Sequence, residues 1–337
     1  MERMTRRLAT AAAAVAGVAI LGVGCVGCAA NPAARAGGHP GSAAASPALP
    51  NPFTILARYS AKSLGLDHPA ALAIGPGGNL YVTDLSQRVT VISPAGKVLR
   101  RWGKPGTGPG EFKFIASDPT TPTDVAGKIA VGGNGMVYIS DNGNDRVQVF
   151  TPQGRFIRQF GSYGGGKGQF YFPADLVVDG SGNVYVTDDQ SETLAKFSPA
   201  GKVIWQIGGS ASSDPDLLGH QHLASIDAHG RLVMVNDDQN KVLYVDPSGH
   251  KVDAFSAKHV ARGNDCEVTV DAAGDTYVSG CGPAPTLVYD RAHRLIAKWP
   301  GSQYSLLRSP AFGPNGEVFA LAWDGSILRL RITLPAR

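Results

Sequence analysis

The chain has 337 residues, with 31 Lys+Arg against 27 Asp+Glu, a formal net charge of +4, 43 Gly, 23 Pro and 4 Cys. So even a balance excludes generic nucleic-acid binding, which runs on an excess of Lys and Arg at phosphates. Sparse charge (17%) with abundant Gly and Pro excludes a coiled coil, a helical bundle, a disulfide miniprotein and a polytopic membrane protein, and suits short strands joined by tight turns.

Residues 1–24 read as a signal peptide. Arg3, Arg6 and Arg7 form a basic start, and Leu8 to Gly24 is an uncharged, Ala-rich run. That run is weakly apolar and short for a bilayer, whose crossing needs ~20 apolar residues. Without Glu2 and the three arginines the net charge falls to +2. Gly24-Cys25 and Gly27-Cys28 follow, each with Val two residues before the Cys. This resembles a bacterial lipobox, and lipidation is expected at Cys25 or Cys28. Residues 25–51 hold these cysteines and an Ala/Gly/Pro/Ser stretch too poor in apolar side chains to offset its ordering entropy, hence a flexible tether. The expected location is the outer face of the cell membrane as a lipoprotein, or secreted, with the lipid anchor the only membrane contact.

From residue 52 to 337 one unit is written six times. Gly75 to Asp84 reads Gly-Pro-Gly-Gly-Asn-Leu-Tyr-Val-Thr-Asp; it returns at 132–141 and 179–188, and more loosely at 227–237, 271–280 and 313–322. The turn glycines Gly78, Gly135, Gly182, Gly230, Gly274 and Gly316 are spaced by 57, 47, 48, 44 and 42 residues. Each copy is an apolar strand, a Gly turn and an alternating strand, a hairpin signal. A second block, Ser-Pro-Ala-Gly-Lys-Val-Leu-Arg-Arg-Trp-Gly at 93–103, recurs at 151–161 and 198–208 and more weakly at 246–256 and 290–300. Together they give about four strands in ~45 residues, the size of a propeller blade.

The sixth copy lacks its second block, and Ile55 to Ser60 aligns residue for residue with Val98 to Gly103. The predicted fold is therefore all-β, a six-bladed β-propeller of four-stranded blades. The N-terminal strand, about residues 53–60, closes the ring by joining the last blade, which leaves no open sheet edge. Pro, an apolar strand, Gly-Asn-x-Tyr-Val-x-Asp, Arg-Val and then Gly-Lys-x-x-x-x-Phe-Gly resembles the NHL repeat over about residues 53–334. The resemblance implies a six-bladed propeller and no single activity. The family includes protein-interaction and RNA-binding modules, a peptide-amidating lyase, and the extracellular sensor propellers of bacterial Ser/Thr kinases, which an exported chain resembles most.

Candidate sites follow from the repeat. Gly161 to Lys167 fits Gly-x₄-Gly-Lys, but Gly168 stands where a nucleotide-binding loop needs Ser or Thr and a strand should follow, so it reads as an interblade connector. Residues 103–112 form a sister loop. The channel slots align as Ala71, Lys128, Asp175, Leu223, Glu267 and Ser309, with no His among them. The three-His metal ring of the amidating lyase therefore finds no counterpart, His68, His220, His222 and His259 read as loop residues, and no metal or other cofactor is expected. Asp175 and Glu267 suit acid–base chemistry across the channel, or Lys128 simply neutralises them. Asp84, Asp141, Asp188 and Asp237 close second strands, where an Asp accepts loop amides. Cys266 and Cys281, in an oxidising compartment, are expected to form a disulfide across a hairpin that pairs Val270 with Thr276.

Loops leaving second strands and loops entering first strands should share one face. That face would gather Arg88, Lys104, Lys113, Lys128, Arg146 and Lys167 on a basic half. Asp175, Asp214, Asp216, Asp237, Asp238, Asp265 and Glu267 would supply the acidic residues. The sequence thus favours a monomeric binding or scaffold module over an enzyme, recognising a protein, peptide or cell-envelope glycan and no nucleic acid. The alternative is a metal-dependent lyase or lactonase-like hydrolase with its site in the channel.

Overall fold

The computed structural model describes residues 49–115, 127–210, 212–217, 219, 221–236, 239–257, 267–279, 285–299, 308–313, 316–322 and 324–335; the side chains of 221–224, 308 and 309 are outside the description. The signal peptide, tether and lipidation cysteines Cys25 and Cys28 lie outside the described residues.

Six four-stranded antiparallel sheets form the blades. Blade 1 holds β2 (Pro69–Ile74), β3 (Leu80–Asp84), β4 (Arg88–Ile92) and β5 (Val98–Trp102). Blade 2 holds β6 (Ile129–Val131), β7 (Val137–Asp141), β8 (Arg146–Phe150) and β9 (Phe156–Phe160). Blade 3 holds β10 (Pro173–Val178), β11 (Val184–Asp188), β12 (Thr193–Phe197) and β13 (Val203–Gly208). Blade 4 holds β14 (Gln221–Ile226), β15 (Leu232–Asn236), β16 (Lys241–Val245) and β17 (Lys251–Ser256). Blade 5 holds β18 (Glu267–Val270), β19 (Thr276–Ser279), β20 (Thr286–Tyr289) and β21 (Leu295–Trp299). Blade 6 joins β22 (Arg308–Phe312), β23 (Glu317–Leu321) and β24 (Ile327–Ile332) to β1 (Phe53–Tyr59), as the repeat predicts. The closing ladder runs from Phe53 opposite Ile332 to Tyr59 opposite Ile327, with one bulge between Ile55 and Ala57.

Second strands lie between two neighbouring sheets and are buried on both faces, which is why β3, β7 and β11 read as near-continuous apolar runs. Outer strands meet solvent on one face and alternate, as in β9. The apolar clusters sit between blades rather than within them. One joins Tyr81 of blade 1 to Val137 and Ile139 of blade 2, and another joins Leu80 and Val82 of blade 1 to Phe319 and Leu321 of blade 6. A fully buried aromatic such as Tyr138 or Phe197 contributes about 1.5–3 kcal/mol by its burial.

Adjacent blades are also latched at the rim. The aromatic that ends one outer strand covers the third-to-fourth-strand turn of the next blade. Tyr59 donates to the Pro94 carbonyl at 2.9 Å, and Trp102 lies over the turn at Gly154. Gly154 has φ +88°, and an added Cβ would meet the Trp102 ring at 2.5 Å. In blade 5 the turn carries His293 at φ 60°, and Phe255 stacks on its imidazole with centroids 4.4 Å apart.

The expected Cys266–Cys281 disulfide is corrected. The hairpin has the predicted register, Val270 opposite Thr276, but its described ladder ends at Glu267 opposite Ser279. Both cysteines lie outside the described residues, and no disulfide is present among those residues. No described helix is long and apolar enough to cross a membrane.

Gly154→Ala should cost about 2–4 kcal/mol, from left-handed strain plus overlap with Trp102. Gly77→Ala, at φ +86° with nothing within 4 Å of its Cβ, should cost only about 1–2 kcal/mol. Urea unfolding followed by tryptophan fluorescence measures both, and equal losses would show that the latch adds nothing.

Candidate functional site in the central channel

First strands of all six blades line one cavity of about 380 Å³ on the propeller axis. Lys128 immediately precedes β6, Asp175 is the third residue of β10, and Glu267 opens β18. All three therefore sit near the ends of first strands where the chain enters them. Lys128 Nζ donates to Glu267 Oε1 at 2.9 Å and lies 3.3 Å from Asp175 Oδ1. Their side chains are 14%, 15% and 8% exposed, so the ionic set is largely withdrawn from bulk water. The backbone is pinned behind it. Ser140 N donates to the Lys128 carbonyl at 3.0 Å, and Asp175 N donates to Thr187 Oγ1 at 3.1 Å.

Repeat alignment thus locates four of its six slots on the cavity wall, at Ala71, Lys128, Asp175 and Glu267. Leu223 and Ser309 lie on β14 and β22, with side chains outside the description. Blade 4 also brings Ser225 and Ile226, and blade 6 brings Pro310 to Phe312, positions further along the first strand than the single slot the alignment compared. At the far end of each first strand the lining is apolar: Ile74, Val131, Val178, Ile226, Val270 and Phe312. The signal for that ring was present in the sequence, as the last apolar residue before each Gly turn.

The two loop types do share a face. Gly143 N, leaving β7, donates to the Lys113 carbonyl at 2.9 Å, and Lys113 N, entering β6, donates to Asp141 Oδ1 at 2.7 Å. Lys113 and Lys167 are exposed there, and Lys104 is exposed beside Glu111 at 3.1 Å. Arg88 is tied to Asp84 at 3.0 Å and to the Gly65 carbonyl.

Arg146 is different. It is 6% exposed and binds Asp141 at 2.8 Å, Gln159 at 2.9 Å, and the carbonyls of Thr107, Gly108 and Glu111. The loop that enters blade 2 folds over it, so it holds that loop and does not meet a partner. Asp214 and Asp216 are likewise engaged: Lys251 bridges them at 2.9 and 2.7 Å, and hydrogen bonds from Lys241 and Lys251 hold the Asp216 carboxyl below the ordinary carboxylate range. Asp237, Asp238 and Asp265 lie outside the described residues, as do His220 and His259; His68 is exposed beside Asp67 at 2.8 Å.

The repeated aspartates are structural. Asp188 accepts from Tyr171 N, Phe172 N and Ser191 N at 2.7–2.9 Å, and Asp84 accepts from Ser86 N at 3.0 Å. In blade 4 the strand-closing position is Asn236, not the expected Asp237. Asn236 accepts from Gln239 N at 3.1 Å and donates to the Asp216 carbonyl at 3.0 Å. The Gly161–Lys167 segment is the expected connector. Its Tyr163–Phe170 bridge matches Pro105–Phe112 in the sister loop. Gln169 Oε1 accepts from Gly166 N at 2.9 Å as Glu111 Oε2 accepts from Gly108 N at 2.9 Å.

A divalent cation does not fit the described donors. Among described residues no three or more His, Cys, Asp or Glu converge. Lys128 Nζ stands between the two carboxylates where such an ion would need to be.

A family model described as a 6-bladed beta-propeller (DUF5128) matches residues 125–207. Mouse peptidyl-glycine alpha-amidating monooxygenase is 34% identical over 120 residues, covering 32% of this chain and 11% of that protein. Human NHL repeat-containing protein 3 is 30% identical over 95 residues, covering 27% of this chain and 24% of its own. The chain thus spans about a tenth and about a quarter of these relatives. A streptogramin B lyase structure aligns with TM-score 0.58 and 13% identity over 84% of this chain and 98% of the lyase. A catalytically inactive virginiamycin B lyase from Staphylococcus aureus with quinupristin aligns with TM-score 0.55 and 13% identity over 83% of this chain and 100% of that one. The expectation of a binding module rather than an enzyme is corrected by these likenesses, since the same ring over its whole length serves lyases.

Arg146→Met should destabilise the fold by about 3–5 kcal/mol, because it strands the fully buried Asp141 carboxylate. Denaturant unfolding measures this; a loss below 1 kcal/mol would place Arg146 in a free, solvated role. The chain is an NHL-repeat-like six-bladed β-propeller, a scaffold capable of surface recognition or catalysis.

Proposed function

We propose that this protein is an enzyme of the lyase type that works in its central channel, with Lys128, Asp175 and Glu267 as the reacting set. The observation that carries this reading is the convergence of two withdrawn carboxylates on one ammonium inside a cavity of about 380 Å³, a volume suited to a drug-sized molecule. The likeness in fold to lyases, over 83–84% of this chain, supports it.

The roles follow from the geometry. Glu267 accepts the shorter bond from Lys128, which orients the ammonium. The ammonium then donates to a substrate carbonyl and stabilises negative charge that grows on its oxygen. Asp175 is the more buried carboxylate and the farther from Nζ, so it is the one placed to act as the base. It removes the proton from the carbon next to that carbonyl. The electron pair forms a carbon–carbon double bond, and the leaving group departs from the next carbon with its bonding electrons. No water is added.

Quinupristin is the first probe. Incubated with the purified full chain and followed by mass spectrometry, it should be converted to material whose total mass equals that of the substrate. Lys128→Gln and Asp175→Asn, each checked for native folding by circular dichroism, should lower turnover by about 10²- to 10⁴-fold. Unconverted quinupristin, or products that sum to the substrate plus one water, would overturn the lyase reading.

A further inference from the structure

The cavity is polarised along the propeller axis. At one end stand Lys128, Asp175 and Glu267, an ammonium donor beside carboxylate acceptors. At the other end each blade contributes one apolar residue, Ile74, Val131, Val178, Ile226, Val270 and Phe312. Five of these are partly buried and Val270 is buried; each packs against an interblade cluster and also borders the channel, so the collar shows the channel a partial apolar edge. Three strand steps separate the slot of Ala71 from that of Ile74, a span of about 10 Å at ~3.3 Å per residue.

We infer that the channel binds an amphipathic carboxamide, with its amide head at the charged end and an apolar tail in the collar; the inference rests on the channel being the site. A charged-pair site alone would accept many polar heads. An amide suits this one because its carbonyl oxygen accepts from Lys128 Nζ while its N–H donates to a carboxylate on either side, so both signs of the site are used at once. A carboxylate head meets Lys128 but is repelled by two like charges, and an ammonium head meets the carboxylates but is repelled by Lys128. The collar fixes the other half of the ligand. Partly exposed apolar side chains arrayed around one end of a channel gain by covering a hydrocarbon tail, at about 0.8 kcal/mol for each methylene buried. Rings of this kind have a single axis, so the tail must run along the channel and the head must arrive at the end where the first strands begin.

Binding of acetamide, butanamide and hexanamide to the full chain, read by ligand-observed NMR titration, tests this without any turnover. Affinity should rise about fourfold for each added methylene, the factor that corresponds to that burial, and hexanoate and hexylamine should bind at least tenfold more weakly than hexanamide. Val131→Thr and Ile226→Thr, near-isosteric or mild changes in the collar, should flatten the chain-length dependence and leave acetamide binding unchanged. Lys128→Met should weaken all three amides by a similar factor. Equal affinity along the wild-type series, or a preference for hexanoate or hexylamine, would overturn the inference. If quinupristin is consumed while the series is flat, the amphiphile inference fails alone. If the series is steep while quinupristin stays unconverted, the lyase reading fails and the ligand class stands.

Discussion

No blade of this protein can bury both of its faces alone, and that constraint governs the rest of the molecule. β3, β7 and β11 are buried along their whole length because each lies between neighbours. Every apolar cluster that covers them is shared by two blades. An arc of blades would leave two apolar sheet faces in water, so stability requires closure. The last seam is made by strands from the two ends of the propeller, β1 on β24, and Phe53 then stacks on Trp299 of blade 5 at 4.6 Å. Closing the ring also forces six first strands onto one axis, which is the reason a channel exists at all.

The fold was legible in the sequence because each of its devices is repeated. A turn glycine, an alternating strand and a strand-closing Asp recur at nearly constant spacing, and a pattern written several times is read with little ambiguity. The closing strand was legible for the same reason, since Ile55 to Ser60 completes a block that blade 6 lacks. Lys128, Asp175 and Glu267 were found by aligning the blades, without knowledge of their distances.

What the sequence concealed depends on contacts between segments far apart in the chain. Arg146 begins an apolar strand, where an arginine ordinarily reaches solvent. It is buried because the loop carrying Thr107, Gly108 and Glu111 crosses over it and presents three carbonyls. Asn236 was passed over in favour of Asp237 because an amide fills the same capping role and the carboxylate lay next to it. The bulges in β14 and β22 were also invisible.

Repetition within one chain separates scaffold from chemistry. Asp84, Asp141 and Asp188 occupy equivalent positions and do equivalent work on local amides, and Asn236 fills the same role in blade 4. Latch positions behave alike: Tyr59, Trp102 and Phe255 are all aromatic, and even the blade that replaces the turn glycine with His293 keeps the covering ring. The channel slots do the opposite. Ala71, Lys128, Asp175 and Glu267 are equivalent by position and unlike in chemistry. A structural demand imposed by sixfold architecture would fall on all blades equally and would select one residue type. A single asymmetric molecule on the axis makes a different demand of each blade. On the proposed function, the unlike residues of the channel slots are the ones a ligand on the axis would choose, while the residues shared between blades serve the ring.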